Sequence, residues 1–316
     1  MSSQTLTDNL KLLWISLAQH VWPQTLGRTP EPDLLTDKQQ NVEHYNSALL
    51  TRMPLFYDLG LEVICRARPY EGGSAIDLGC GPGFLSICLA RYLGYHDVTG
   101  IDLSKPMIEV AKENAKNSGV GSSVTFQLGN MVRLDSVPAD RVDLTVNTLS
   151  VHHLPDLDSA RDAFLEMDRI TKPSGLVMIL DMHRFRSQFF TELGVRILGR
   201  DFLECGLKAL HDDFYHSMFA AWTRRELQNA IPQTSKHRWC HLGPFLGLPP
   251  IQIILGLPVE QKSIFLRPGF PSHGHPFIES LRNRWEAERG AKWVQETYGL
   301  LKMQSLLFAL GRKRVF

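Results

Sequence analysis

The sequence predicts an α/β fold built on a doubly wound, mostly parallel β-sheet. Short apolar segments alternate with segments of helical periodicity between Ser74 and Asp181, which is the pattern of consecutive βαβ units. A glycine-rich bend follows the first apolar segment directly, and an acidic residue ends the second. Two later strand segments, separated by a turn rich in proline and glycine, predict an antiparallel hairpin at the sheet edge.

The elements can be assigned in chain order. Apolar residues recur at helical spacing in residues 8–22, 37–50 and 54–67, and Pro54 suits a first helical turn because its missing N–H costs nothing there. The sheet follows, with strands expected at 75–78, 98–102, 124–128, 142–146 and 176–181 and helices at 83–93, 105–117 and 157–170. Short helices at 189–198, 202–210 and 214–221, the hairpin strands 237–242 and 251–255, and helices near 277–289 and 293–310 complete the prediction.

Composition excludes several classes of protein. The formal net charge is only +1, so no strong field attracts nucleic acid or an anionic membrane. The chain has no run of about eighteen apolar residues, and the N-terminus lacks the pattern of a signal peptide. Five cysteines without a CxxC pair indicate reduced thiols rather than disulfides or a zinc site. We therefore expect a soluble, cytoplasmic protein with no membrane span and no nucleic-acid partner.

The most informative segment is the bend Asp77-Leu-Gly-Cys-Gly-Pro-Gly83 between the first strand and its helix. Glycines permit left-handed backbone angles and let a ligand lie against the main chain, while N–H groups at the helix start favour an anionic group. Dinucleotide binding requires G-x-G-x-x-G, but Phe84 occupies the third glycine position and would crowd a pyrophosphate. Asp102, at the tip of the second strand, is placed to accept hydrogen bonds from ribose hydroxyls, while Ser104 caps the next helix.

Four segments together resemble the motifs of class I S-adenosylmethionine (SAM)-dependent methyltransferases, in the family's order and at its spacing. They are residues 77–83, 100–107, 142–155 and 171–175. The resemblance covers roughly the central 110 residues and implies a Rossmann-like sheet with SAM as its cofactor. It also implies five regions: N-terminal helices closing the cofactor site (1–70), the SAM-binding core (71–182), a helical lid insertion (183–230), the last strands of the core (231–257) and a helical C-terminal extension (258–316).

The resemblance further implies roles for particular residues. Asp77 and the backbone at Gly79 and Gly81 would hold the methionine end of SAM, and Asp102 would hold the ribose. Leu103 and Met107 would pack against the adenine face, and the segment Gly129-Asn130-Met131 would bind the adenine edge. Asn130 stands where the family commonly has Asp, and its carbonyl still accepts a hydrogen bond. Asn147 and Thr148 would border the reactive methyl group. Tyr45 and Tyr57 are expected either to line the pocket or to pack in the core. The expected cofactor-binding residues are Asp77, Gly79, Cys80, Gly81, Gly83, Asp102, Leu103, Met107, Asn130, Met131 and Asn147.

Candidate catalytic bases are His152, Asp181 and His183, which follow the fourth and fifth strands, where open α/β sheets bind ligands. We expect no metal site. The adjacent His152 and His153 should point to different faces of a helix, and His211 and His216, five residues apart, do not share a helical face.

The predicted function is SN2 methyl transfer from SAM to a small, partly apolar or aromatic acceptor on O or N, beneath the aromatic-rich lid. Two alternatives remain open. One is a SAM-binding protein of the same fold that catalyses a different reaction. The other is a non-catalytic partner, because the apolar C-terminal helices also suit a homodimer contact.

Overall fold

A computed structural model describes residues 3–32, 42, 46, 54–67, 72–243, 250–264 and 313–315. Two helices come first, α1 (Ser3–Val21) and α2 (Pro54–Ala67). The predicted helix 37–50 and the helical C-terminal extension lie almost entirely outside the described residues. The alternating part contains β1 (Gly73–Leu78), α3 (Phe84–Leu93), β2 (Tyr95–Asp102), α4 (Lys105–Asn117), β3 (Val124–Leu128), β4 (Val142–Thr148), α5 (Leu157–Ile170) and β5 (Thr171–Met182).

The insertion and the last strands follow β5. They comprise α6 (Gln188–Leu198), α7 (Arg200–Glu204), α8 (Lys208–Ala220), α9 (Arg224–Ala230), β6 (His237–Leu242), β7 (Ile251–Pro258) and the short β8 (Lys313–Val315). The predicted helix at 202–210 is wrong. Gly206 adopts a left-handed φ of 73° between α7 and α8, so the chain turns there and the next helix starts later.

The sheet has the strand order β3-β2-β1-β4-β5-β7-β6-β8. β1 to β5 are parallel, and β7 runs antiparallel to both β5 and β6. The doubly wound sheet and the antiparallel hairpin are thus confirmed, and β8 extends the sheet beyond β6.

Side chains of each central strand alternate between two apolar cores, as the period of two in a strand requires. On one face, β-strand residues pack against α2, α3 and α4. On the other face they pack against α5 and α9. In β5, for example, Met178 belongs to the first core and Ile179 to the second, and both are fully buried. Burial on both faces explains why these strands are continuously apolar in sequence.

Candidate functional site

A cavity of about 310 Å³ opens at the carboxyl ends of β1 to β4. The strand order reverses between β1 and β4, and helices leave this point on opposite faces, so a crevice forms where open α/β sheets bind ligands. The cavity is lined by Tyr57, Gly79, Cys80, Gly81, Pro82, Ile101, Asp102, Leu103, Ser104, Met107, Gly129, Asn130, Met131, Val132, Thr148, Leu149, Ser150, His153, Leu154, Pro155 and Ser159.

The three glycines of the bend have different surroundings, although all adopt positive φ. A Cβ on Gly79 would lie 2.2 Å from Ser150 Oγ, and one on Gly83 would lie 2.5 Å from Phe126 Cζ. A Cβ on Gly81 would meet no atom within 4 Å, although Gly81 lines the cavity. Gly79 and Gly83 are therefore required by packing, whereas Gly81 leaves its space for a ligand.

Asp102 fixes the bend from the neighbouring strand. One carboxylate oxygen accepts a hydrogen bond from the Gly81 N–H at 2.8 Å, and the other accepts from the Ser104 N–H at 2.8 Å. Burial raises the pKa of Asp102 despite these bonds. Ser104 caps α4, as expected. Each carboxylate oxygen retains further acceptor capacity for a hydroxyl group.

The expected adenine-binding residues line the cavity. Leu103, Met107 and Met131 all line it, and Met107 is buried while Leu103 is largely exposed at the rim. Asn130 also lines the cavity, and its Oδ1 accepts the Val132 N–H at 3.1 Å. The side-chain amide of Asn130 is therefore already oriented by its own loop.

Asn147 and Thr148 end β4 at the middle of the crevice. The Asn147 amide donates to the Leu78 carbonyl at 2.8 Å and to Ser150 Oγ at 2.6 Å, so it ties β4 to β1 from behind the cavity wall. Among the described residues, Asn147 Oδ1 and Thr148 Oγ1 are buried without a hydrogen-bond partner. Leu149, which follows, has a φ of 54° and lines the cavity. Unsatisfied polar atoms and backbone strain of this kind concentrate where a ligand binds.

Asp77 and Cys80 have contrasting positions in the bend. Asp77 does not line the cavity; its carboxylate lies beneath the bend and accepts a hydrogen bond from the Ser86 hydroxyl at 2.7 Å. Burial raises the pKa of Asp77 to about 7, and the Asp102 carboxylate adds to the shift. Cys80 lines the cavity with a mostly buried thiol, whose pKa is raised by burial and by Asp77.

Two of the three candidate bases form a buried pair. His152 Nδ1 lies 2.6 Å from Asp181 Oδ1, and the His152 N–H donates to the second carboxylate oxygen at 2.8 Å. Burial opposes protonation of His152, but the Asp181 and Glu31 carboxylates outweigh it and raise the pKa of His152 to about 9. His183 lies apart from this pair, because its backbone forms an isolated parallel β-bridge with Trp222. Burial, together with the positive charges of Arg184 and Arg224, lowers the pKa of His183 to about 4. None of the three lines the cavity.

The expectation that His152 and His153 diverge is wrong. They lie in a single 3-10 turn, Val151–His153, and their ring centroids are 4.2 Å apart. Both rings face Glu31, with His153 Nδ1 at 2.5 Å from Glu31 Oε2 and His152 Nε2 at 3.7 Å from Glu31 Oε1. Burial opposes ionisation of Glu31, but hydrogen bonding to His153 and the nearby His152 lower its pKa to about 2. Of these residues, only His153 lines the cavity.

Arg28 holds the segment that delivers Glu31. Its guanidinium donates to the carbonyl oxygens of Ala220, Pro155, His152 and Leu154 at 2.5–2.9 Å, and it lies 3.7 Å above the ring centroid of Trp222. Glu31 was missed in the sequence because it is more than 120 residues from the histidines it contacts. The residues next to Glu31 in sequence form a proline-containing loop, and nothing in that loop indicates a contact with the two histidines.

The insertion does not reach the cavity in the way the lid prediction implies. None of the side chains that the structure describes in the range 183–230 lines the cavity. Ser217 of α8 instead donates a hydrogen bond to Glu31 Oε1 at 2.5 Å. Tyr57 of α2 does line the cavity, while Tyr45 lies outside the described residues.

The fold and this crevice together define a nucleoside-binding α/β domain of the SAM type. The ligand fits the observed surroundings because Gly81 leaves open space, a carboxylate ends β2, and Thr148, whose buried hydroxyl has no hydrogen-bond partner, lines the cavity. Residues 75–175 match the family profile described as a methyltransferase domain. Over these residues the chain thus carries a methyltransferase domain, in agreement with the predicted class I SAM-dependent type, and SAM is the cofactor that this type and fold imply.

Comparisons with individual proteins agree on the domain. The ubiquinone biosynthesis O-methyltransferase of Chelativorans sp. is 33% identical over 137 residues, which cover 43% of this chain and 49% of that protein. The 2-phytyl-1,4-naphtoquinone methyltransferase of Synechococcus elongatus is 30% identical over 37% of this chain and 48% of that protein. This chain therefore spans about half the length of these curated relatives.

A solved structure of a candidate SAM-dependent methyltransferase from Methanococcus maripaludis shows 20% identity and a TM-score of 0.49, covering 74% of this chain and 99% of that one. The strand order β3-β2-β1-β4-β5-β7-β6-β8 by itself defines the doubly wound fold of this chain. Within the described residues, no helix combines the length and hydropathy needed to cross a bilayer.

Proposed function

We propose that this protein transfers the methyl group of SAM to a small, partly apolar acceptor. The observation that carries the proposal is the open space at Gly81, facing Asp102 across the carboxyl edge of the sheet. The S–CH3 bond of the sulfonium breaks as the acceptor nucleophile bonds to the methyl carbon, and the electron pair stays on sulfur. SAM brings its own leaving group, so the protein's main contributions are position and exclusion of water.

The lining of the cavity supports the proposed cofactor-binding roles. Asp102 would accept hydrogen bonds from the ribose hydroxyls, Leu103 and Met107 would contact the adenine faces, and Asn130 would lie at the adenine edge. Gly81 allows the methionine end of the cofactor to approach the backbone. Asp77 lies beneath the bend, where it would favour the cationic groups of SAM electrostatically once its carboxyl group is ionised.

We assign the acceptor to the part of the cavity that is lined by His153, Leu154, Pro155 and Ser159. Two apolar residues with one imidazole and one hydroxyl suit a small ring that carries a polar group. The names of the two curated relatives, which refer to ubiquinone and to a naphthoquinone, favour a quinone-like acceptor, and the first of them, an O-methyltransferase by name, favours methylation on oxygen. Because Asp181, His152 and His183 do not line the cavity, any of them acting as a base does so through an intermediate group.

The remaining expectations are also proposals. None of the five cysteines, all of which the structure describes, is paired in a disulfide, which supports a reducing compartment such as the cytoplasm. The division into five regions, with a closing N-terminal segment, is supported by Glu31 and Tyr57 reaching the site. A homodimer through the C-terminal helices concerns residues outside the described ranges, and light scattering of the purified chain tests it.

Calorimetry with SAM and a labelled-methyl assay over a library of phenolic and quinone-like compounds test the function. We expect SAM to bind and S-adenosylhomocysteine to accumulate with at least one small apolar acceptor. Binding without S-adenosylhomocysteine but with consumption of SAM would favour a different SAM reaction. Absence of SAM binding would support the non-catalytic partner, and preference for a charged polymer would refute the small acceptor.

A further inference from the structure

A cluster of potential metal ligands lies at the cavity wall. The ligand atoms of Glu31, His152 and His153 all lie within 4.8 Å of one another. Two ligands about 2.1 Å from one ion are roughly 3–4 Å apart, so modest side-chain rotations bring all three onto one ion. Two imidazoles with one carboxylate form a ligand set used for divalent transition metals, and such sets leave positions open for water or substrate.

The carboxylate behind His152 has the arrangement of an outer-shell partner. Asp181 accepts a hydrogen bond from Nδ1 of His152, which leaves Nε2 as the nitrogen facing Glu31. Metal-binding histidines almost always donate their second N–H to such an acceptor, which fixes the tautomer and orients the ring. The hydrogen positions are inferred from this geometry.

A second histidine–carboxylate pair shows that the arrangement at His152 is not general in this fold. His237 Nδ1 lies 2.8 Å from Asp168 Oδ1, but its Nε2 is 3.0 Å from the Lys172 carbonyl oxygen. Both nitrogens of His237 therefore already have protein partners. His152 differs because its second nitrogen faces a carboxylate and a second histidine.

The local charge also favours a cation. Besides Glu31 and Asp181, the partly buried Asp213 of α8 interacts electrostatically with Glu31 and with both histidines. Three carboxylates in a small, largely buried volume repel one another unless cations balance them. In the present structure Glu31 is hydrogen-bonded to His153 and Ser217; a metal ion would displace the proton shared by Glu31 and His153, while the Ser217 hydroxyl could still donate to the carboxylate.

From this geometry we infer that Glu31, His152 and His153 bind one divalent transition-metal ion at the edge of the cavity. His153 lines the cavity, so the open coordination positions face the region assigned to the acceptor. A metal there would bind an acceptor oxygen and lower the pKa of its hydroxyl group. The inference goes beyond methyl transfer, and metal binding can be measured without SAM or acceptor.

The test is titration of the chelator-treated full-length protein with Zn²⁺ by calorimetry and with Co²⁺ by visible absorption. We expect one ion per chain, with Glu31→Gln weakening the affinity at least 100-fold. Asp181→Asn should weaken it by about 10–100-fold, the range typical of lost outer-shell partners. Asp168→Asn is the matched control because it breaks the other histidine–carboxylate pair, and we expect it to leave Zn²⁺ affinity unchanged.

Circular dichroism establishes which variants are folded, and Glu31→Gln keeps the test decisive if Asp181→Asn does not fold. The inference is overturned if the wild-type protein binds neither ion at micromolar concentrations, or if Glu31→Gln binds as tightly as the wild type. A thiolate-to-cobalt absorption band would place the ion at a cysteine, for instance the exposed Cys205, and would also overturn it.

Discussion

Replacing Gly81 by alanine distinguishes a loss of SAM affinity, caused by filling the ligand's space, from a loss of folding stability, caused by backbone strain. Gly81 has a φ of 51°, and an added Cβ meets nothing within 4 Å of the protein. The variant should therefore fold, with a loss of about 1–2 kcal/mol in unfolding free energy for a left-handed alanine. The new methyl group occupies the space that we assign to the cofactor, so SAM affinity should fall at least tenfold, which corresponds to about 1.4 kcal/mol.

Gly119 provides the matched control for this experiment. It has a φ of 71° and also meets nothing within 4 Å, but it lies after α4 and does not line the cavity. Gly119→Ala should show the same strain and an unchanged dissociation constant. Gly83→Ala differs again: its Cβ would lie 2.5 Å from Phe126, so overpacking adds about 1–3 kcal/mol of destabilisation.

Urea denaturation gives the unfolding free energies and calorimetry gives the SAM affinities. The reasoning is refuted if Gly81→Ala binds SAM as the wild type does. It is equally refuted if Gly119→Ala loses affinity by the same factor, because strain alone would then explain the effect.

Three further variants test the site and its support. Asp102→Ala should weaken SAM binding at least tenfold by calorimetry because ribose acceptors are lost, whereas Asp97→Ala, at the far end of β2 and partly exposed, should not. The raised pKa of Asp77 means that the folded state holds a proton which the unfolded state loses near pH 4, so stability falls as pH rises from about 4 to 7. Asp77→Asn should remove this fall in unfolding free energy, which is of the order of 4 kcal/mol, as measured by urea unfolding at pH 4, 5.5 and 7.5. If the unfolding free energy of the variant depends on pH as steeply as that of the wild type, the explanation is contradicted. Arg28→Ala should cost about 2–4 kcal/mol in the same measurement because four carbonyl oxygens lose a charged donor, and Arg28→Lys should not restore it, since a single ammonium cannot reach all four.

Local sequence determined the sheet and the cofactor half of the site. The alternation of strands and helices depends on apolar periodicity, and the bend depends on glycines that adopt backbone angles other residues avoid. Gly81, Asp102 and Met107, which the sequence singled out, line one cavity, and their contacts with the cofactor stay a prediction. Their positions follow from one βαβ unit, because a parallel sheet brings the carboxyl ends of neighbouring strands to the same edge.

Tertiary structure decided the rest. The sequence gives no sign that Asp77 lies beneath the bend, because which side of a loop a side chain occupies depends on the packing of α3. The lid prediction relied on aromatic content, which does not distinguish residues facing a ligand from residues facing each other. Glu31 contacts His152 and His153 because Arg28, in the same N-terminal segment, donates hydrogen bonds to the turn after β4. Contacts between residues so far apart in sequence leave no periodic or local pattern, and only the folded chain brings them together.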